Sequence, residues 1–424
     1  MRTHNTTLCL VNLSGKDITK TQVEVDDNDA WDGPSRPDRN LTGPLAAGDA
    51  RCERAEIARS PNNGCWFKVS LTFADGGALS FRADQYEAKK KQSGDYTEAL
   101  VKSPSDLPLK VFRRTGEDRY VYVQAFYILP TAPPDNAHWM GALLKARPTV
   151  TLNHVTMPGS HDAGMYTGSN EWAKTQSLTI GEQLKAGARY FDLRVCKYGS
   201  DLWTYHGPVY GGKLADILDD VAAFLDGSSR EVVFLKFRSY ASGDRADTVA
   251  LVQSKLAGKL FTAAATPHFA TQTLDHLAGE NGHAVAVFTH DYSSLYDPSK
   301  GIFPYSDYGN EDTGAFIPHA SHDNLGVYDS YAHQSEFAVM KKDQHDKWVA
   351  HGGYGKDYLF LFSWTLTGST DNVMDLDLLS AAANPQLPKA LHDFVTHSAK
   401  GKPNIVYIDQ IDPYLCKAII DLNR

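Results

Sequence analysis

The chain has 424 residues, which is too many for one ordinary domain, so two domains are expected. Its 42% hydrophobic and 22% charged residues are typical of a globular protein with enough apolar material for a core. A formal net charge of −9 argues against a nucleic-acid partner, which is usually met by a basic face. No apolar run approaches the roughly 20 residues that cross a bilayer.

The N-terminus and the cysteines bear on the cellular compartment. Met1-Arg2-Thr3-His4-Asn5 lacks the basic and then apolar layout of a secretory signal, so the protein is either made without one or processed to this form. Five cysteines without a CxxC spacing speak against a zinc site. A Cys52–Cys65 bridge is one candidate pairing, and the compartment stays open on these residues.

Residues 1–128 predict an all-β sandwich. Several segments alternate or run apolar with strand-forming residues, and Asp75-Gly76-Gly77 is a hairpin signal between two of them. Clusters of Gly, Pro and Asp separate the segments, as in small antiparallel sandwiches. The predicted strands are Thr6–Val11, Cys65–Phe73, Ala78–Phe81 and Arg119–Tyr127.

The proline-rich stretch 129–136 is the predicted linker, and 137–424 the second domain. Apolar strands then alternate with amphipathic helices, of which Lys213–Asp226 is the clearest. This rhythm predicts an α/β domain built as a distorted (β/α)8 TIM barrel. The aromatic stretch Tyr296–Tyr308 reads as a loop at the barrel mouth. The predicted strands are Leu152–Met157, Ala188–Leu193, Glu231–Phe237, Ala284–Thr289, Leu359–Trp364 and Asn404–Asp409.

Charged and titratable residues cluster where the predicted barrel strands end, which is where barrel enzymes place their active sites. Two histidines and an arginine in this arrangement indicate phosphodiester chemistry. One imidazole could take a proton, the other could give one, and the guanidinium could hold the charge on phosphorus. The residues concerned are His161, Asp162, Asp192, Arg194, His206, Lys236 and Asp409.

Five motifs in order resemble the phosphatidylinositol-specific phospholipase C X-domain enzymes and their phosphodiesterase relatives. The resemblance covers about residues 137–424 and leaves out the N-terminal sandwich. The motifs are Pro158-Gly159-Ser160-His161-Asp162, Gly187–Arg194, Tyr205-His206-Gly207, Phe360–Thr367 and Pro403–Asp409.

The resemblance also indicates which branch of the family the chain is similar to, the metal-dependent or the metal-independent one. Metal-dependent members hold calcium with carboxylates at the second and third strand ends, whereas this chain has Asp192-Leu193-Arg194 and Lys236 there. Fixed positive charges would occupy the region that a cation needs. The pattern is similar to the metal-independent bacterial branch, so we expect neither a metal nor a cofactor.

The resemblance implies a mechanism with assigned roles. His161 would be the general base on the inositol 2-hydroxyl, and His206 the general acid on the departing diacylglycerol oxygen. Arg194 would bind the non-bridging oxygens, Asp409 would support the imidazolium of His161, and Asp162 would support the acid histidine or the leaving group. The product would be a cyclic inositol phosphate.

The same resemblance implies a headgroup site formed by Lys236, Asp192, Asp329 and Tyr331. Asp291 is aligned where some inositol-specific members carry an arginine. That departure leaves open a substituted inositol, a glycan-bearing one or another polyol phosphate. The histidines of Pro318–Asp323 have no further matched ligand and predict no metal site.

Two other functions stay open from the sequence. One is a metal-dependent glycerophosphodiester phosphodiesterase, and the other is a non-catalytic headgroup-binding protein or toxin. The expected partner is a phospholipid or inositol-phosphate substrate at a membrane interface, with peripheral contact, a monomeric state and secretion by family resemblance. The sandwich would either dock on lipid or glycan, with Trp31 or Trp66 as anchors, or stabilise the barrel.

Overall fold

The computed structural model describes residues 5–25, 31, 35–56, 66–84, 93–95, 100–102, 108–239, 244–370, 373–397 and 401–424. They form two compact units. The first comprises the described parts of Met1–Pro133, His333–Met340 and Leu366–His397, and the second those of Pro134–Ala332, Lys341–Thr365 and Ser398–Arg424. In the described part of the chain, no helix has both the length and the apolar character to cross a membrane.

The strands and helices are numbered in chain order. The strands are β1 (Asn5–Asn12), β2 (Ile18–Val25), β3 (Asp49–Glu56), β4 (Trp66–Phe73), β5 (Ala78–Asp84), β6 (Ser93–Asp95), β7 (Leu100–Lys102), β8 (Leu109–Glu117), β9 (Tyr122–Pro130), β10 (Met157–Ser160), β11 (Tyr190–Tyr198), β12 (Asp201–His206), β13 (Val209–Lys213), β14 (Val232–Ser239), β15 (His283–Phe288), β16 (Ile302–Asp307), β17 (Leu325–Tyr328), β18 (Leu359–Trp364) and β19 (Ile405–Ile408). The helices are α1 (Pro37–Asn40), α2 (Trp139–Ala146), α3 (Ile180–Ala186), α4 (Leu214–Asp226), α5 (Arg245–Lys255), α6 (Leu274–Ala278), α7 (Phe337–His351), α8 (Leu376–Ala383), α9 (Leu387–His397) and α10 (Pro413–Ile420).

The first unit contains the predicted sandwich. One sheet has the order β3-β1-β9-β8-β6 and the other β2-β4-β5-β7. Alternate residues of both sheets share one buried cluster, which includes Leu10 and Phe126 from one sheet and Phe67 and Phe81 from the other. The sandwich is therefore confirmed, although β1 and β9 pair in parallel and depart from the antiparallel expectation.

Other sequence predictions for this unit need correction. Cys52 is bonded to Cys9 on the neighbouring strand, not to Cys65, which lies outside the described residues. Trp31 is buried at 4% exposure, so its ring belongs to the core and cannot serve as a membrane anchor in this fold. Strand β9 runs on to Pro130 and takes in the start of the predicted linker.

Helix α8 packs directly on β8 within the first unit. The approach requires a glycine, because a Cβ on Gly116 would lie 2.4 Å from the backbone of Ala381. Arg114 of the same strand also pairs with Asp377 of the helix. The long segment after β18 thus contributes its helices to this unit.

The second unit is a closed barrel of eight parallel strands in the order β10-β19-β18-β17-β16-β15-β14-β11, with β10 and β11 completing the ring. Helices follow several of the strands, so the predicted TIM-barrel class is confirmed. The barrel is distorted, since residues 308–324 join β16 to β17 without a helix. Helix α4 matches its prediction and ends at Gly227.

Three local predictions for the barrel are wrong. Residues Leu152–His154 form a 3-10 turn beside Thr151, whose hydroxyl donates to Asn153 Oδ1 and lies 2.8 Å from His154 Nδ1. The strand begins at Met157. Ile302–Asp307 is a barrel strand and not a loop. His206 does not lie at the end of a barrel strand, because it ends β12, which pairs antiparallel with β11 as a hairpin outside the ring.

A buried ion pair between Arg189 and Glu231 stabilises the barrel. Arg189 is fully buried, and its Nε donates to Glu231 Oε2 at 2.9 Å. Its other nitrogens donate to the carbonyls of Leu184, Ala188 and Ala137. Burial raises the pKa of Glu231, and Arg189 opposes that rise. Arg189 and Glu231 neutralise each other's charge, so removing either side chain leaves the other buried with an uncompensated charge.

We predict that Arg189→Met lowers the free energy of unfolding by about 3–5 kcal/mol, because Glu231 is left buried without a cation. The double variant Arg189→Met/Glu231→Gln recovers part of the loss, since it leaves no charge behind. Urea denaturation followed by tryptophan fluorescence measures both. Equal stability of the single and double variants would contradict this role for the pair.

Candidate active site

The ends of the barrel strands bring the predicted catalytic residues together. His161 follows β10, Arg194 lies in β11, and Asp409 follows β19. Strand β10 pairs in parallel with both of the others, which sets their carboxyl ends side by side. His206 reaches the same place from the last residue of β12.

His161 and Asp409 form a hydrogen-bonded pair. The His161 Nδ1 atom lies 2.7 Å from Asp409 Oδ1, and the carboxylate is buried. Burial opposes a charge on the imidazole, but Asp409 and Asp162 outweigh it and raise the pKa of His161 to about 9. Burial also raises the pKa of Asp409, a rise that His161 limits. With Nδ1 engaged, Nε2 is the atom left to exchange protons with a substrate.

Asp162 lies next to Arg194 and to both histidines of the predicted site. Its Oδ1 lies 2.7 Å from Arg194 Nε, and its Oδ2 lies 3.6 Å from His161 Nε2 and 3.8 Å from His206 Nε2. The side chain is fully buried. Its φ of 40° lies in the left-handed region that few non-glycine residues adopt. Such backbone strain persists only where the surroundings enforce it.

His206 has a different electrostatic environment from His161. Burial and the cations Arg194 and His161 lower the pKa of His206, and Asp162 opposes them. Its ring centroid lies 5.8 Å from that of Trp172. The two imidazoles therefore hold a proton with unequal strength although they share one carboxylate.

A second carboxylate lies between two cations deeper in the barrel. Asp192 is 3.5 Å from Arg194 Nε through one oxygen and 3.5 Å from Lys236 Nζ through the other. Burial opposes its ionisation, but Lys236, Arg194 and His161 hold the pKa of Asp192 below its usual range. The hydroxyl of Tyr407 also contributes to lowering the pKa of Asp192. Asp192 is thus placed to balance charge and to orient Arg194 and Lys236.

Lys236 connects this group to the predicted headgroup residues. Its Nζ donates to Asp329 Oδ2 at 2.8 Å and lies 4.8 Å from the centre of the Tyr305 ring. Burial opposes the charge, but Asp329 and Asp192 hold the pKa of Lys236 well above its usual value. Burial raises the pKa of Tyr331, whose hydroxyl is electrostatically coupled to Arg194.

A cavity of about 420 Å³ opens beside Lys236, and we call it the headgroup cavity. Asp291 lines this cavity, and its Oδ1 atom lies 3.7 Å from the guanidinium of Arg245. Asp307 also lines the cavity, and burial together with Asp329 raises the pKa of Asp307 to about 7. The structure therefore places Asp291 and Lys236 on one cavity, which neither His161 nor His206 lines.

Sequence reasoning missed four residues at this site. Tyr407 lies two residues before Asp409, so strand alternation could have placed it facing inward, with its ring 5.2 Å from His161. Tyr305 and Asp307 are missed because the pattern of their segment indicates a loop. Trp172 lies in a segment without a periodic pattern and carries no signal.

The arrangement of the His, Cys, Asp and Glu side chains shows whether they could coordinate a metal ion. In the ranges that the structure describes, no group of three or more His, Cys, Asp or Glu side chains is arranged to hold a metal ion. The carboxylates of Asp162 and Asp192 instead face Arg194 and Lys236.

Comparisons with known proteins agree with the motif resemblance. The chain is 30% identical over 188 residues to PI-PLC X domain-containing protein 2 of Mus musculus, covering 37% of this chain and 54% of that protein. It is 32% identical over 107 residues to a 1-phosphatidylinositol phosphodiesterase of Listeria monocytogenes, covering 24% of this chain and 32% of that protein. The matches confirm the similarity to this family, and the chain spans about half the length of the mouse relative.

Solved structures and family models give two further findings. A solved structure of a mutant phosphatidylinositol-specific phospholipase C from Staphylococcus aureus aligns with 68% of this chain and 97% of its own, with a TM-score of 0.49 and 18% identity. No family model matches the chain.

We predict that Asp409→Asn lowers the pKa of His161 from about 9 by roughly one to three units, because the adjacent negative charge is lost. A pH titration of the imidazole carbon resonances by NMR measures it. Asp346→Asn, which removes an exposed surface carboxylate, is the matched control and leaves His161 unchanged. An unchanged His161 titration in Asp409→Asn would refute the pairing.

Proposed function

We propose that this protein cleaves the phosphodiester of phosphatidylinositol-type lipids without a metal, by intramolecular attack, giving a cyclic inositol phosphate and diacylglycerol. The observation that carries the proposal is the arrangement of His161, His206 and Arg194 around the single carboxylate of Asp162. It combines a base, an acid and a fixed cation, which are the groups that a phosphodiester transfer needs.

The first step is removal of a proton from the inositol 2-hydroxyl by His161. Because Nδ1 is bonded to Asp409, the neutral ring keeps its proton there and accepts the new one at Nε2. The imidazolium that forms is stabilised by the buried Asp409 carboxylate, which does not itself take the proton. The resulting alkoxide oxygen attacks phosphorus within the same molecule.

The second half of the step breaks the bond from phosphorus to the glycerol oxygen. Arg194 would bind the non-bridging oxygens, since its guanidinium is partly exposed and oriented by Asp162 and Asp192. His206 gives a proton to the departing oxygen, so diacylglycerol leaves as a neutral alcohol. The acid thereby loses one proton while the base gains one, and the pair ends with its protonation states exchanged.

The unequal pKa values of His161 and His206 decide which ring carries the proton in the free protein. In the free protein the raised pKa of His161 and the lowered pKa of His206 favour one proton on His161 at neutral pH. The reactive form has that proton on His206 instead. Both Nε2 atoms face the same Asp162 oxygen, so the two forms differ by one proton around a common anion.

The headgroup would be held beside the reacting phosphate. Lys236 and Asp329 offer a donor and an acceptor for ring hydroxyls, Asp192 supports Lys236, and Tyr331 offers a ring face near Arg194. Asp291 lines the headgroup cavity, in which acidic and basic side chains nearly balance. This composition favours a neutral polyol, either plain inositol or inositol bearing a glycan, over one with an added phosphate.

The rival functions meet less support. A metal-dependent phosphodiesterase needs carboxylates free for the metal, whereas Asp162 and Asp192 pair with Arg194 and Lys236. A binding protein has no need for two histidines with unequal pKa values.

We also propose that the protein is a secreted monomer that contacts membranes peripherally. The Cys9–Cys52 disulfide supports export, because such bonds persist in oxidising compartments.

The product distinguishes the proposal from its rivals. With phosphatidylinositol and EDTA present, phosphorus NMR is expected to show a cyclic inositol phosphate formed by the wild type, and His206→Ala loses about a hundredfold or more of the rate. Circular dichroism confirms that the variant is folded. A direct monoester with no cyclic species, or activity abolished by EDTA, would overturn the proposal.

The pH dependence follows from the two imidazoles. Below the lowered pKa of His206 both rings are protonated and no base exists. Above the pKa of His161, about 9, both are neutral and no acid exists. We expect kcat/KM to rise through the first value and fall through the second. A rate that keeps rising beyond about pH 9 is the result that would exclude the acid–base pair.

A further inference from the structure

We propose that Gln176 is a positioning residue, which holds His161 against Asp409 by bonding to the backbone on either side of the pair. The inference rests on the function proposed above, because it concerns the base of that reaction. Gln176 lies in the irregular segment between β10 and α3, and its side chain is fully buried. A buried side chain does not touch the substrate, so its effect passes through the residues to which it bonds.

The amide of Gln176 bonds to the ends of two barrel strands. Its Nε2 donates to the carbonyl of His161 at 3.0 Å and to the carbonyl of Ile408 at 3.2 Å. Its Oε1 accepts from the backbone N–H of Ile411 at 2.9 Å. Two carbonyls face the NH2 group and one N–H faces the oxygen, so only this orientation of the amide satisfies all three contacts. One side chain therefore connects the residue after β10 with residues on both sides of Asp409.

This connection replaces a backbone bond where the pairing of β10 and β19 stops. The His161 N–H still donates to the Ile408 carbonyl at 3.2 Å. In a parallel ladder the His161 carbonyl would next accept from the N–H of Gln410. That N–H donates instead to the carbonyl of Thr175 at 2.8 Å, and the Gln176 amide fills its place at His161. The relative position of the two strand ends thus depends on Gln176.

The two neighbours of Gln176 support the turns that follow the same strands. The Thr175 hydroxyl donates to the Asp162 carbonyl at 2.9 Å, and the Ser177 hydroxyl donates to Gln410 Oε1 at 2.6 Å. Asp162 and Gln410 have φ angles of 40° and 54°, in the left-handed region that few non-glycine residues adopt. Such strain persists only where the surroundings enforce it, and this segment bonds to both strained residues.

The quantity that Gln176 controls is the contact between His161 and Asp409. Their Nδ1–Oδ1 distance is 2.7 Å, and a hydrogen bond to a charged group weakens as its partners separate. Of the other charges that act on His161, Asp162 raises its pKa and Arg194 lowers it. Those two are bonded to each other and do not contact Gln176 through their side chains. Loss of the Gln176 amide therefore changes the proton affinity of the base and leaves the headgroup residues in place.

The test is Gln176→Met, which keeps the length of the side chain and removes its amide. We expect the pKa of His161 to fall from about 9 by roughly one to two units, because its bond to Asp409 weakens. An NMR titration of the imidazole carbon resonances measures this shift. On phosphatidylinositol, kcat at pH 7 is expected to fall about tenfold while KM stays within about twofold, since the base is misplaced and the headgroup site is intact.

Gln344 offers a matched control on the other side of the barrel. It is also fully buried, its Nε2 donates to the Ser330 carbonyl at 2.8 Å, and its Oε1 accepts from the Ser363 N–H at 2.8 Å. Gln344→Met thus removes a buried amide that joins backbone near β17 to β18. We expect both variants to lower the melting temperature, and Gln344→Met to leave the His161 titration unchanged.

The outcomes separate this role from the proposed function. A wild-type His161 titration in folded Gln176→Met, or an equal shift in Gln344→Met, would show that Gln176 does not position the pair, and the catalytic proposal would stand. Should Gln176→Met fail to fold, Gln176→Asn, which withdraws the amide by one methylene, decides the question by the same titration. If the wild type cleaves no phosphatidylinositol, the proposed function fails, and the titration still tests Gln176 because it needs no turnover.

Discussion

The buried carboxylate of Asp162 is the constraint on which the site depends. It is the common neighbour of Arg194, His161 and His206, and its backbone adopts a left-handed φ of 40° to reach them. His161 also has Asp409 as a hydrogen-bonded partner, so its charge is stabilised by two carboxylates. His206 lacks such a bond to Asp409, and burial together with the nearby cations Arg194 and His161 lowers its pKa.

The barrel supplies this geometry through its closure. Strands β10, β11 and β19 are neighbours in the ring, so His161, Arg194 and Asp409 meet without long loops. The second charge cluster is formed by Asp192 of β11 and Lys236 of β14, which are opposite each other on neighbouring parallel strands. The group around Asp162 and the group around Lys236 are therefore joined by Asp192, which lies between Arg194 and Lys236.

Much of this could be predicted from the sequence, for identifiable reasons. His161, Arg194 and Asp409 each adjoin an apolar run, so the strand ends that carry them can be placed from the sequence. Strand β16 was missed because Pro304 interrupts an already short run and argues against a strand. The hairpin that carries His206 was missed because antiparallel pairing outside the ring depends on the whole barrel. The Cys9–Cys52 bond depends on strand register, which cysteine spacing does not give.

The most direct measurement is kcat/KM on phosphatidylinositol for Asp162→Asn, a change that keeps the size of the side chain and removes its charge. A loss on the order of a hundredfold or more is expected, because Arg194 and both imidazoles lose their common anion. Circular dichroism and a thermal melt establish that the variant is folded. Turnover within about twofold of the wild type would show that the shared carboxylate does not organise the site, and would contradict the account.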